Sequence, residues 1–418
     1  MTYWRLVLFA LLATASSARA QESLQPSVNG AEGVNKPPMA KHAPPACSDP
    51  KPDCAMTIYP AFDKKGLLWV AYSVGKTLYV ASSHDQGKTF SAPTKIITLS
   101  DGIIDAHGDA RPKIIPLNDN SLLVSYTTRP DKMMIGTIFT AKSSDNGKNF
   151  STPQPMLTSG GQRFDSYVVT PKGRIFAGWL DKTHAAQAKA EGKEFAGSGV
   201  AFASSDDGGI TFKGKNILMD HACECCRMSA ALGRDGLPVF AWRQIFEGDI
   251  RDHYAAKLSV NGDKLIGGRV SNDDWAINSC PHQGPALAVD IKGVWHIAWF
   301  TKGKNRQGLF YAYSRDEGKS FSTPEKIGDD AHAPAFATLL ATKKRLYRAW
   351  KEFDGAITTI PAQQSSDGGK SWSAPQILAS TTEASDHPIL VESKKDVFLS
   401  WGTHQEGYRL IPLRLAKK

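Results

Sequence analysis

One eight-residue phrase, S-x-D-x-G-x-[ST]-[FW], recurs down this chain and constrains its fold more than any other feature. It reads Ser83-His-Asp85-Gln-Gly87-Lys-Thr89-Phe90, then Ser143-Ser-Asp145-Asn-Gly147-Lys-Asn149-Phe150 with Asn in the seventh place. It returns at Ser205–Phe212, Ser314–Phe321 and Ser365–Trp372. Copies about 50–60 residues apart are the mark of a repeat architecture, often a propeller with one four-stranded sheet per blade. As a hairpin turn the phrase is physically sensible. The Asp side chain caps backbone N–H groups, the Gly takes a positive φ, and the aromatic packs into the blade.

A second pattern gives an independent count. Short runs that alternate and end on an aromatic occur at Leu67–Tyr72, Leu122–Tyr126, Ile175–Trp179, Pro238–Trp242, Val294–Trp299, Leu346–Trp350 and Val397–Trp401. Each reads as the second strand of a blade, rich in residues suited to sheet-on-sheet packing. Five blades carry an intact phrase, the fourth has a degenerate one around Ser259-Val-Asn-Gly262, and the last ends before one would form. The expectation is an all-β chain: a single seven-bladed β-propeller over residues 54–418, with six blades as the alternative.

The repeated turns resemble the BNR (Asp-box) repeats of the sialidase superfamily, over nearly all of residues 55–418. Sialidases have six blades, so a count of seven departs from that pattern.

Residues 1–20 read as a secretory signal: Arg5, an apolar run Leu6–Ala13, then Ala18-Arg19-Ala20. The apolar run is too short to span a bilayer, and no later segment suffices. Export to a bacterial periplasm is expected. Residues 21–53, with Pro37-Pro38 and Pro44-Pro45, read as a flexible Pro-rich arm. The formal charge is +9, and several lysines, such as Lys88, Lys148 and Lys319, sit inside the turn phrases as solvated groups. No Lys/Arg block alternates with aromatics, which disfavours nucleic acid as a partner. The expected partners are a metal ion or small ligand in the central funnel, and a periplasmic protein.

In a propeller, the links from one blade's outer strand to the next blade's inner strand converge beside the central channel, where sites are built. These links carry Asp105, His107, Asp109 and Arg111; then Arg163 and Asp165; then His221, Cys223, Cys225, Cys226 and Arg227. Later ones carry Cys280 and His282, then His332, then Asp386 and His387. Five of the eleven histidines and four of the six cysteines thus face one funnel. The Cys-x-Cys-Cys and Cys-Pro-x-x-Gly-Pro segments also resemble a subset of BNR-repeat proteins carrying both. That pairs the two links in space and adds no chemistry.

Three readings follow for the cysteines. An exported chain with six cysteines suggests disulfides. Cys47 with Cys54 would pin the arm to the first blade, and one of Cys223, Cys225 and Cys226 would bridge to Cys280. Thiolate plus imidazole instead suggests a soft metal, copper first and zinc as the alternative. Cys223, Cys225, Cys226, Cys280, His221 and His282 would supply one cluster, and His107, His332 and His387 a second. The third reading is redox chemistry at the adjacent pair Cys225-Cys226.

The sialidase resemblance implies three arginines holding a carboxylate, a Tyr nucleophile activated by Glu, and an Asp acid/base. Arg111, Arg163 and Arg227 would supply the triad, Asp109 or Asp165 the acid, and Tyr167 or Tyr254 the nucleophile. Thr57-Ile-Tyr59-Pro60 lacks the arginine usual at that place. The segment Arg243–His253, of alternating charge, reads as an ion-pair network or a solvated hairpin. The leading expectation is a copper-binding propeller. A sialidase-like glycosidase and a disulfide-stapled interaction scaffold are the alternatives.

Overall fold

Each aromatic-ending run becomes the second strand of an antiparallel meander. The first, Leu68–Val74, pairs with Ile58–Phe62 on one side and Thr77–Ser83 on the other. The third, Ile175–Asp181, is buried at all seven positions. Alternation alone predicts one dry face; the second face is dry because another sheet lies against it.

The computed structural model describes residues 50–130, 135–158, 161–394 and 396–416, all in one compact unit. Residues 1–20, read as a signal, and most of the expected arm lie outside them. Pro50–Asp53, assigned to that arm from composition, are instead packed down. Tyr72 Oη donates to Pro50 O at 2.7 Å, and Tyr408 N donates to Asp53 Oδ1 at 2.9 Å. No helix among the described residues is long and apolar enough to cross a membrane.

The described strands form six sheets: three of four strands, one of five, one of eight and one of three. The eight-stranded sheet is two meanders joined at a single pair, Ala222 with Gln244, just before the cysteine-rich segment. First strands touch in succession, Ser229–Leu232 on Ala286–Val289 on Ala335–Ala341 on Ile389–Glu392. Ile58–Phe62 touches both Lys113–Pro116 and Ile389–Glu392. Among the described residues one α-helix, Thr183–Ala190, interrupts the all-β pattern, along with three single-turn 3-10 segments, and it has no buried residue.

The recurring turn has the expected chemistry. In the second copy Gly147 N donates to Ser143 Oγ at 2.9 Å, Ser143 Oγ donates to Asp145 Oδ1 at 2.8 Å, and Asn149 N donates to Asp145 Oδ1 at 2.9 Å. Asn149 Nδ2 replaces the usual hydroxyl, donating to Asp145 Oδ2 at 2.8 Å. The glycine has φ +74, and a Cβ there would sit 2.5 Å from the Trp69 ring. Trp69 belongs to the preceding meander. Likewise Gly209 presses on Leu123, Gly369 on Tyr311 and Gly87 on Leu410. These turns are wedges between sheets as well as hairpin ends.

A second repeat emerges only in three dimensions. Trp179, Trp242 and Trp350 are fully buried, and each indole donates to the side chain two residues further along its strand. The acceptors are Asp181 at 2.9 Å, Gln244 at 2.7 Å and Glu352 at 2.7 Å. A buried indole N–H needs such a partner.

Candidate metal centre

The link after Ala222 turns sharply. Cys223 N donates to Arg243 O at 2.7 Å, extending the join between the two meanders, and the chain folds back so that three side chains converge. The Sγ atoms of Cys223 and Cys225 lie 3.5 Å apart, and each lies 3.9 Å from that of Cys226. All three residues are at most 1 % exposed. No other group of three His, Cys, Asp or Glu ligand atoms lies mutually within 4.8 Å among the described residues. The point equidistant from these sulfurs is about 2.2 Å from each, close to the metal–thiolate bond of about 2.3 Å seen at zinc.

Cys280, on the next link, is part-exposed and packs on this group with Ile245. Arg251 Nη1 donates to Cys223 Sγ at 3.4 Å. Hydrogen bonds from Cys225 and Cys226, with the Arg243 and Arg251 guanidiniums nearby, hold the Cys223 thiol far below its ordinary range. Cys225 is raised because it faces Cys223, Cys226 and Cys280. Burial pushes Cys226 up to about 12, and a hydrogen bond with Cys225 draws Cys280 down to about 7. The four thiols thus titrate as one interacting group beside the Arg243 and Arg251 guanidiniums. Lys182, its pKa lowered chiefly by burial, stands at the rim paired with Glu224.

Cys223, Cys225, Cys226 and Cys280 are free thiols, so the expected bridge from the trio to Cys280 is not formed. Their sulfurs meet at contact distance without bonding. Cys54 is disulfide-bonded, and Cys47 lies outside the described residues.

The histidines are placed differently from expectation. His221, at φ +66, turns outward: its Nδ1 lies 3.0 Å from Ala196 O, and its ring packs on Phe195. His282, at φ +53, is exposed. Neither belongs to the sulfur group. His107, His332 and His387 form no common cluster. His332 faces Asp329 and Glu352 at 3.6 and 3.7 Å. His387 stacks on Phe336 at 3.7 Å with Nδ1 3.6 Å from Asp109, and burial lowers it to about 4. His107 lies against Asp105 and Arg163.

The arginines expected to line a funnel are already engaged. Arg111 makes a two-pronged pair with Asp386 at 2.7 and 2.9 Å and also donates to Ile58 O and Gly108 O. Arg163 holds Asp105 at 2.7 Å, and Arg227 holds Asp109 at 3.0 Å. Asp165 accepts from Lys113 at 2.9 Å and Ser125 at 2.5 Å. Asp109 is down at about 2: burial pulls it upward, but the His387 hydrogen bond and the Arg227 charge outweigh that. Burial raises Tyr167, opposite to an activated nucleophile, and Tyr254 Oη donates to Gly267 O at 3.2 Å. The expected arginine triad is therefore spent on internal pairs.

Both readings of the segment Arg243–His253 hold in part: it is a hairpin whose tip, Glu247–Asp249, is exposed, while Arg243, Arg251, Asp252 and His253 are buried at its base. Arg243 donates to Arg251 O, Gln283 O and Phe300 O, while Asp252 accepts from Arg269 and three backbone N–H groups. Its alternating charges were the available signal.

No protein-family model and no curated protein matches the chain. Among solved structures it is similar to a PL25 ulvan lyase, a polysaccharide lyase bound to -[GlcA(1-4)Rha3S]-. The identity is 14 %, with 85 % of this chain and 94 % of that one covered and a TM-score of 0.56. It is similar to the polysaccharide lyase Uly1 at 7 % identity, covering 86 % and 88 %, TM-score 0.52. A protein of unknown function from Dyadobacter fermentans matches at 15 %, covering 75 % and 97 %, TM-score 0.52. The likeness is one of fold, a propeller-type arrangement of sheets.

Proposed function

We propose that this chain is an exported, periplasmic propeller of seven blades, built on Asp-box repeats, that binds a soft metal ion, copper(I), through Cys223, Cys225 and Cys226. The observation that carries this reading is the buried triangle of free sulfurs. Free thiols in an oxidising compartment invite bridging, and a bound soft ion both occupies and protects them. Zinc is the alternative: a structural zinc wants four ligands, and with His221 and His282 outside the sulfur group the fourth would be the part-exposed Cys280. Charge favours copper(I). Three thiolates with a monovalent ion leave two negative charges, matched by Arg243 and Arg251. Anaerobic loading with copper(I) is expected to give one copper per chain. That copper is lost in Cys223→Ser/Cys225→Ser/Cys226→Ser, and excess zinc does not displace it. Wild-type protein with no retained copper overturns the reading.

A carbohydrate-cleaving role in the funnel is the second reading, supported by the fold likeness to polysaccharide lyases. Cleavage of a uronate polysaccharide, or release of a fluorogenic sialoside, lost in Arg163→Ala, would establish it instead.

A further inference from the structure

The three buried sulfurs raise a question that their own geometry leaves open. At 0–1 % exposure no solvent-borne donor or acceptor can reach an ion held among them. Soft ions pass between thiolates by associative exchange, in which an incoming sulfur bonds before an outgoing one leaves, so transfer needs a further sulfur that meets both the trio and solvent. Cys280 meets both conditions. It packs against the trio and yet is part-exposed and outside the mutual triangle. It also arrives on a separate link, so its movement need not disturb the trio's backbone.

That link is fastened on both sides of Cys280 and loose around it. Downstream, Arg243 Nη2 donates to Gln283 O at 2.9 Å and Ser229 Oγ donates to Pro285 O at 2.6 Å. A Cβ on Gly284 would lie 2.4 Å from Arg227, so the chain is pressed flat there. Upstream, Ile277 N donates to Asp249 O at 3.2 Å. Between these anchors, no backbone N–H from Asn278 to His282 donates to another backbone group among the described bonds. A short span tied at both ends and unbonded between them can swing one side chain without unfolding its neighbours.

We propose that Cys280 is the transfer ligand of the trio, the sulfur through which copper(I) enters and leaves. This rests on the trio being the metal site. In the outward step a bond forms between Cys280 Sγ and copper as the bond to Cys225 Sγ breaks. An external thiolate or chelator then bonds to copper as the bonds to Cys223 Sγ and Cys226 Sγ break, and finally takes it from Cys280 Sγ. Copper stays monovalent, no electrons move, and each sulfur released from copper takes up the proton it gave up on binding.

The test compares wild type with Cys280→Ser and Cys280→Ala, each loaded anaerobically with one equivalent of copper(I) and mixed in stopped flow with a chromophoric copper(I) chelator. Both variants are expected to retain their copper through desalting while transferring it about 10-fold or more slowly, the range reported when groups around a metal's ligands are altered. Alkylating Cys280 on the loaded wild-type chain, with the trio shielded, should slow transfer equally. An unchanged rate overturns the inference while leaving the metal reading intact. Loss of copper from both variants also overturns it, by making Cys280 an ordinary ligand. Wild-type protein that retains no copper removes the metal reading itself, and the inference with it.

Discussion

At the scale of single residues, burial decides which groups carry charge. His387 packs on Phe336, and burial lowers its pKa to about 4. An unfolded histidine titrates near 6.5, so between these values the unfolded chain binds the extra proton and the folded one does not. The contribution is intact above pH 6.5 and is lost as pH falls towards 4, by about 3 kcal/mol at most. Urea unfolding at pH 7 and pH 4 should show wild type losing more stability than His387→Phe by an amount of that order; equal losses would contradict this. Cys223 illustrates the opposite case: its neighbours' S–H groups and two guanidiniums favour the charged form. Residue-level roles were only partly legible from sequence. The clustering of Cys and His on successive links was visible, but the positive φ that turns His221 outward was not. Nor were the carboxylates that occupy Arg111 and Arg163, because Asp386 is 275 positions from the arginine it neutralises.

At the scale of elements, the turn phrase was readable in full and its second task was not. Spacing of Ser, Asp and Gly encodes a local hydrogen-bond network, which needs no knowledge of other sheets. That the glycine also wedges against the preceding meander depends on packing. Gly147 tests the distinction. Alanine there meets both φ +74 and the Trp69 ring 2.5 Å away, whereas alanine at Gly66, φ +89, meets open space. Gly66→Ala should cost about 1 kcal/mol from backbone strain alone, and Gly147→Ala about 2–4 kcal/mol with the clash added. Denaturant midpoints at constant slope would measure both. Equal costs would mean that the glycine serves the turn only. The Trp-x-acceptor pairing was likewise written in the strands, yet Trp179-Leu-Asp181 reads as an ordinary strand end until the indole is seen to be buried.

At the scale of the molecule, the repeat anticipates a nearly all-β chain of antiparallel meanders because every copy reports the same local fact. It predicts the site poorly because the site breaks the repeat. The Cys-rich link lies where two meanders are joined through Ala222 and Gln244, and its cationic shell comes from the segment of alternating charge in the second of them. Two solved structures of similar fold, an ulvan lyase and the polysaccharide lyase Uly1, carry carbohydrate chemistry on such a frame. In this chain Arg111, Arg163 and Arg227 are paired with Asp386, Asp105 and Asp109, and three free thiols are gathered in one buried group. The most direct measurement is X-ray absorption at the copper edge of the loaded, full-length protein. The account predicts one copper per chain with about three sulfurs at about 2.3 Å and no imidazole nitrogen among its ligands. Imidazole scattering, or the absence of bound copper, would contradict it.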